Sequence, residues 1–290
     1  MIITINGENI DYTLEQETTV GDAFAGVSSW LEKSGMVVGG IRIDGSAVLL
    51  SDAEWRDRSI ADVESLDLEA LSLRESRVLQ LETARDFFLL LKNAADAGDR
   101  ESLGELSSGY PDLRRILPHL VADGPHSAVL AETDAALERV GFPLDSDGPL
   151  DDADALASEA ARLAGILEAR RREAANPEDE ARRSAESLAK TAPTLDDVAV
   201  NLQTGRDKQA METIITLADE LQVLMRSLGW CGGGPDIGAI ADDLNGILQE
   251  LEEALKAGDT VLIGDLLEYE IKPRLLDLPE RIRFDEEDAS

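Results

Sequence analysis

Residues 2–12 read IITINGENIDY, and this stretch decides the class of fold at the amino terminus. Ile2, Ile3 and Ile5 form an apolar run that reaches the turn Asn6-Gly7-Glu8-Asn9, after which Ile10, Tyr12 and Leu14 alternate with polar residues. Alternation at a period of two, interrupted by an Asn-Gly pair, predicts a β-hairpin. Downstream, Thr18 or Thr19 can cap a helix whose apolar positions Val20, Phe24, Val27, Trp30 and Leu31 keep the helical period, and Gly35 can end it. A strand over 36–43, the turn Asp44-Gly45 and a strand over 47–50 predict a second hairpin. A short turn at 59–63 and a last strand near Leu66 and Leu68 complete the segment.

That order of two strands, a helix, two strands, a turn and a strand resembles the ubiquitin-like β-grasp. The closing pattern Ile60, Ala61, Asp62, Val63, Leu66 and Leu68 is similar to that fold's last loop and strand. The resemblance implies a mixed sheet wrapped around one helix over residues 1–72. Modifiers and sulfur carriers of this fold use a free Gly-Gly carboxyl end, whereas this chain continues and closes on Asp-Ala-Ser. The implied role is a docking or structural module.

From Glu75 onward the pattern is helical. Leu81, Ala84, Phe87, Phe88, Leu91 and Ala95 form one stripe at spacings of three and four, Gly98 stops it, and Asp99 is placed to cap the next helix. Further helices are expected over 112–122, 127–140, 152–174, 177–190, 208–228 and 236–257, with a final one over 261–278. Ala97-Gly98-Asp99 is echoed by Ala257-Gly258-Asp259, and more loosely by Leu202 to Asp207. In each, Gly permits the left-handed helix end and Asp starts the helix that follows, so common turn chemistry explains the echo without common ancestry, with internal duplication as the alternative. The class is therefore α+β: a β-grasp module over 1–72, helical hairpins over 75–145, a helical connector over 146–193, a helical bundle over 194–285 and an acidic tail over 286–290.

Residues 195–285 carry a second resemblance. Gly205, Lys208, Ala210, Ile214 and Ala218 are followed by the helix end Leu224-Met225-Arg226-Ser227-Leu228 and by Gly232-Gly233. This run is similar to the flagellin export chaperones, small cytoplasmic four-helix bundles that hold flagellin before secretion. The chain departs from them at Leu244-Asn245-Gly246-Ile247-Leu248, where the family carries tyrosines, and it has no counterpart of their tyrosine-containing amino-terminal tail. The resemblance implies a groove between bundle helices that receives an amphipathic partner helix, with flagellin or another flagellar component as that partner. The candidate groove residues are Ile214, Leu221, Leu224, Met225, Ile247, Leu251, Leu262 and Leu266, each of which ordinary core packing also explains.

Composition narrows the function further. The 290 residues carry a net charge of −33, with 43% apolar and 4% aromatic residues. A surface this negative repels phosphate backbones and anionic lipid, so neither nucleic acid nor membrane is expected as a partner. The start has no basic and apolar leader, which points to the cytoplasm. The single cysteine, Cys231, has no cysteine to pair with and reads as a neutral helix-end residue. His119 and His126 flank Gly124-Pro125 without a supporting ligand pattern, and 145–154 lacks the ligand spacing of a calcium loop. Gly232-Gly233-Gly234-Pro235 has no Lys-Ser or Lys-Thr after it and reads as a helix stop. Glu268 and Glu270 are too closely spaced to share a helix face, and Tyr269 between them is expected to be half buried. No cofactor or metal is expected, and an adaptor or chaperone is favoured over an enzyme. A structural scaffold, an acidic DNA mimic and an enzyme with a site assembled from distant carboxylates remain as alternatives.

Overall fold

A computed structural model describes residues 1–12, 17–121, 129–143, 152–231 and 237–284. The chain divides into two compact units, Met1–Thr83 and Ala84–Ser290.

The first unit is a β-grasp. Strands β1 (Ile2–Ile5) and β2 (Glu8–Asn9) form an antiparallel pair. Their two-residue loop places Asn6 at φ 52° and Gly7 at φ 82°, both positive, as a type I′ turn demands. The Asn6 side chain also accepts from the Ala70 amide (2.9 Å) and donates to the Ala70 carbonyl (3.1 Å). Helix α1 (Val20–Lys33) opens on a reciprocal capping box between Thr19 and Asp22. Strands β3 (Met36–Ile43) and β4 (Ser46–Val48) repeat the same kind of turn at Asp44 and Gly45, both at positive φ. A 3-10 turn over Ile60–Asp62 leads into β5 (Ser65–Ser72), which lies parallel to β1 and antiparallel to β3. The sheet order is β2-β1-β5-β3-β4.

Period decides what is buried. Val20, Ala23, Val27 and Leu31 on one stripe of α1 join the alternating Ile3, Ile41, Ile43, Leu66, Leu68 and Ala70 in one core with Trp55 and Val63. The second strand is shorter than its alternation suggests: β2 ends at Asn9, although the Ile10 amide still donates to the Ile3 carbonyl at 3.1 Å. Leu14 lies outside the described residues.

The rest of the chain is helical. Helix α2 (Leu73–Ala97) begins on a second reciprocal box, Ser72 with Glu75. It is followed by α3 (Arg100–Val121), α4 (Val129–Arg139), α5 (Ala153–Ala175) and α6 (Pro177–Thr191). A 3-10 turn over Ala192–Leu195 joins α6 to α7 (Asp196–Gln203), and α8 (Asp207–Trp230) and α9 (Ile237–Ala257) come next. The last stretch is α10 (Thr260–Asp265), a π-helical segment over Leu266–Ile271 and α11 (Lys272–Arg281).

Three departures from expectation have physical causes. Helix α3 runs unbroken through Pro111 and Pro118, where a start at Asp112 was expected. Each proline removes one backbone donor, and burial of Leu103, Tyr110, Leu113, Leu117 and Leu120 along one stripe outweighs that loss. The expected final helix is widened in its middle. Pro273 has no N–H to continue the α-ladder, and just before it the Lys272 amide reaches back five residues to the Leu267 carbonyl. Helix α7 is new, its stripe of Leu195, Val198 and Leu202 being too short to register as a period.

Helices α6, α8, α9 and α10 to α11 share one core. Ala181, Ala185 and Leu188 line the α6 side of it, so α6, which falls in the expected connector, is part of the bundle. Its small side chains permit close approach to α8 and α11, against both of which α6 packs.

Candidate functional site

The bundle is joined by glycine turns. Gly98, Gly205 and Gly258 all have φ between 63° and 71°. The amides of Asp99, Arg206 and Asp259 reach back to the carbonyls of Ala94, Asn201 and Ala254 at 2.9, 2.8 and 3.1 Å. This is the paired helix-end geometry that only glycine enters without strain. Asp259 then caps α10 through the Leu262 amide at 3.0 Å, and Asp99 caps α3 through the Ser102 amide at 3.3 Å. The echo in the sequence is thus one turn built three times.

Charged side chains clamp the helices. Glu173 on α5 is 4% exposed and accepts from Arg226 on α8 at 2.7 Å and from Arg170 at 3.3 Å. Asp243 on α9 accepts from Arg274 (3.0 Å) and Arg281 (3.1 Å) on α11, which hold its carboxyl below the usual range. Glu168 accepts from Arg171 and from Arg85, and those hydrogen bonds push its pKa down to about 2. Burial pushes the Tyr110 hydroxyl up to about 12.

The expected groove residues lie elsewhere than in a groove. Ile214, Leu221, Leu224, Leu251 and Leu266 are buried in the bundle core, and Met225 and Ile247 are partly buried against it. Leu262, by contrast, is 43% exposed. At the buried positions the side chains pack the bundle interior, as the core reading of each residue also has it. What the sequence reading missed is on the outside of α8. Met211 and Ile215, one helical turn apart, are 42% and 54% exposed, and the half-buried Ala218 lies on the same face. The signal was present in the spacing, but it was read toward the core side of the helix.

The remaining candidates are simply placed. Tyr269 is 64% exposed, not half buried, because the wider π-turn shifts it off the inward stripe of Leu266, Leu267 and Ile271. The neighbouring Glu268 and Asp265 carboxylates raise its pKa. Glu270 is drawn into an ion pair with Arg274 at 2.9 Å. Cys231 ends α8 with its thiol 3.4 Å from the Ser227 carbonyl, and His119 lies in the last turn of α3. His126, residues 145–151, the glycine run at 232–234 with Pro235, and the acidic tail lie outside the described residues. Among the described residues, no group of three or more His, Cys, Asp or Glu is arranged to hold a metal ion. No helix among them is long and apolar enough to cross a membrane.

Comparisons with known proteins match the two ends of the chain. The model of the TP0873 N-terminal domain matches residues 1–72, the span of the β-grasp. A domain of unknown function (DUF8042) matches residues 179–281, from the first turn of α6 to the end of α11. An uncharacterized protein of Treponema pallidum (strain Nichols) is 30% identical over 109 residues, covering 33% of this chain and 52% of that protein. The chain thus spans about half the length of the relative it matches. No solved structure matches.

Proposed function

We propose that this chain is a non-enzymatic, cytoplasmic adaptor or chaperone of the flagellin-export type, which masks an amphipathic helix of flagellin or another flagellar component. The observation that carries the reading is the exposed pair Met211 and Ile215 on α8, with the half-buried Ala218 on the same face, within the segment that resembles those chaperones. An exposed apolar pair one helical turn apart is a contact point for an amphipathic partner, and unbranched methionine adapts to partners of differing shape. The bundle core beneath it, braced by Glu173 with Arg226 and by Asp243 with two arginines, supplies a rigid backing. The β-grasp serves as a second docking or structural module.

The test is to mix the full chain with monomeric flagellin at about 10 μM each, a concentration at which micromolar complexes populate. Gel filtration with light scattering is expected to show a one-to-one complex. Separate elution of the two proteins would reject the reading.

A further inference from the structure

The β-grasp sheet has one edge that its own strands leave half uncovered. Strand β5 pairs with β3 along its whole length, from Met36↔Ser72 to Ile43↔Leu66, whereas β4 covers only Ile41, Arg42 and Ile43. The cause lies just past Val48. The Leu49 carbonyl accepts from Trp55 Nε1 at 3.0 Å and the Leu50 carbonyl from Arg56 at 3.1 Å, so the chain is drawn into a loop and does not continue beside β3. Alternation along the strands decides which backbone groups are left open. Ala70 turns its amide and carbonyl to Asn6, on the β1 side, so Leu71 faces β3 and its partner Val37 is spent on β5. Met36 and Val38, on either side of Val37, therefore turn their N–H and C=O groups to the open edge. Among the described residues no hydrogen bond reaches them there.

The same edge carries a charge and an apolar contact. A Cβ on Gly40 would lie 2.9 Å from Glu69 Oε2, and one on Gly39 would collide with Leu71 Cδ1, so both side chains cross β3 on the outer face of the sheet. Glu69 is exposed, and among the described residues no cation pairs with it. Open main-chain donors and acceptors recruit a further strand, and the carboxylate beside them selects its charge. We infer that the β3 edge takes up an extended segment of a basic polypeptide, whose main chain bonds Met36 and Val38 while a Lys or Arg on its outer face meets Glu69. A second copy of this chain fits poorly, since it would set one −33 chain against another. Nothing in this depends on the α8 face, so failure of one reading leaves the other standing.

The experiment titrates the full chain calorimetrically, at about 0.15 M salt where diffuse attraction is screened, with the end-capped peptide Thr-Val-Lys-Val-Lys-Val-Thr at up to about 1 mM. Two further peptides of the same charge carry N-methyl groups, one on its valines and the other on its lysines. Successive amides of an extended strand point to opposite edges, so only one of these sets faces β3. The expected result is saturable one-to-one binding of the parent peptide. One methylated peptide loses about tenfold or more in affinity, because its blocked donors cannot enter the ladder, and the other stays within about threefold. Glu69→Lys, a change at an exposed position, weakens the parent peptide by about threefold or more. Hydrogen exchange shows the Met36 and Val38 amides slowed in the complex. No saturable binding, equal affinities of the two methylated peptides, unslowed Met36 and Val38 amides, or unchanged affinity in Glu69→Lys would overturn the inference. So would a dimer in light scattering that the peptide dissociates, which would assign the edge to a second copy.

Discussion

Single atoms set several tolerances in this molecule. A Cβ at Gly264 on α10 would lie 2.8 Å from the Ala199 Cβ on α7, closer than two methyl-sized groups can pack. Gly264→Ala is therefore expected to cost about 1–3 kcal/mol in a urea titration, with Ala199→Gly recovering most of it in the double variant. Glu168 gives a pH-dependent counterpart. Arg171 and Arg85 depress its pKa from the ordinary 4.5 to about 2. The stabilisation it contributes is full above pH 4.5 and is lost as pH falls through about 2. The stability gap between the wild type and Glu168→Gln should be constant near neutrality and should close across that window; a gap that persists at pH 2 would contradict the assignment. At this scale the sequence was legible for what is buried and less so for where a buried residue belongs. Leu221 and Leu224 were recognisable as apolar-stripe residues, but a stripe does not state whether it faces a core or a partner.

Elements were legible wherever local chemistry fixes them. The Asn-Gly and Asp-Gly turns, the Thr19 cap and the glycine helix ends follow from φ preferences and orphan backbone donors, and they stand where expected. The unbroken α3, the short α7 and the π-segment were not legible, because long-range packing decides them against local preference. Asp259 permits a direct test of the local class. Asp259→Ala removes the acceptor for the Leu262 amide and is expected to cost about 1 kcal/mol. Gly258→Ala, forced to hold φ near 67°, should cost about 1–2 kcal/mol. Equilibrium unfolding followed by far-ultraviolet circular dichroism reads both, and a midpoint unchanged in either variant would contradict the turn account.

For the whole molecule, the charge of −33 is spread through caps, turns and outer helix faces and not gathered at one site. Acid of this kind favours self-repulsion between copies, and it leaves recognition to the few apolar surfaces it surrounds. The proposed docking face for a partner helix is the outside of α8, not the bundle interior. Calorimetric titration of monomeric flagellin into the wild type, Ile215→Glu and Leu224→Ala tests that claim most directly. Ile215→Glu should weaken binding by about tenfold or more with the unfolding midpoint unchanged. Leu224→Ala should lose about 2–5 kcal/mol of stability while keeping its affinity within about twofold at temperatures where it is folded. Wild-type affinity in Ile215→Glu together with lost affinity in folded Leu224→Ala would place the partner in the core and contradict the account.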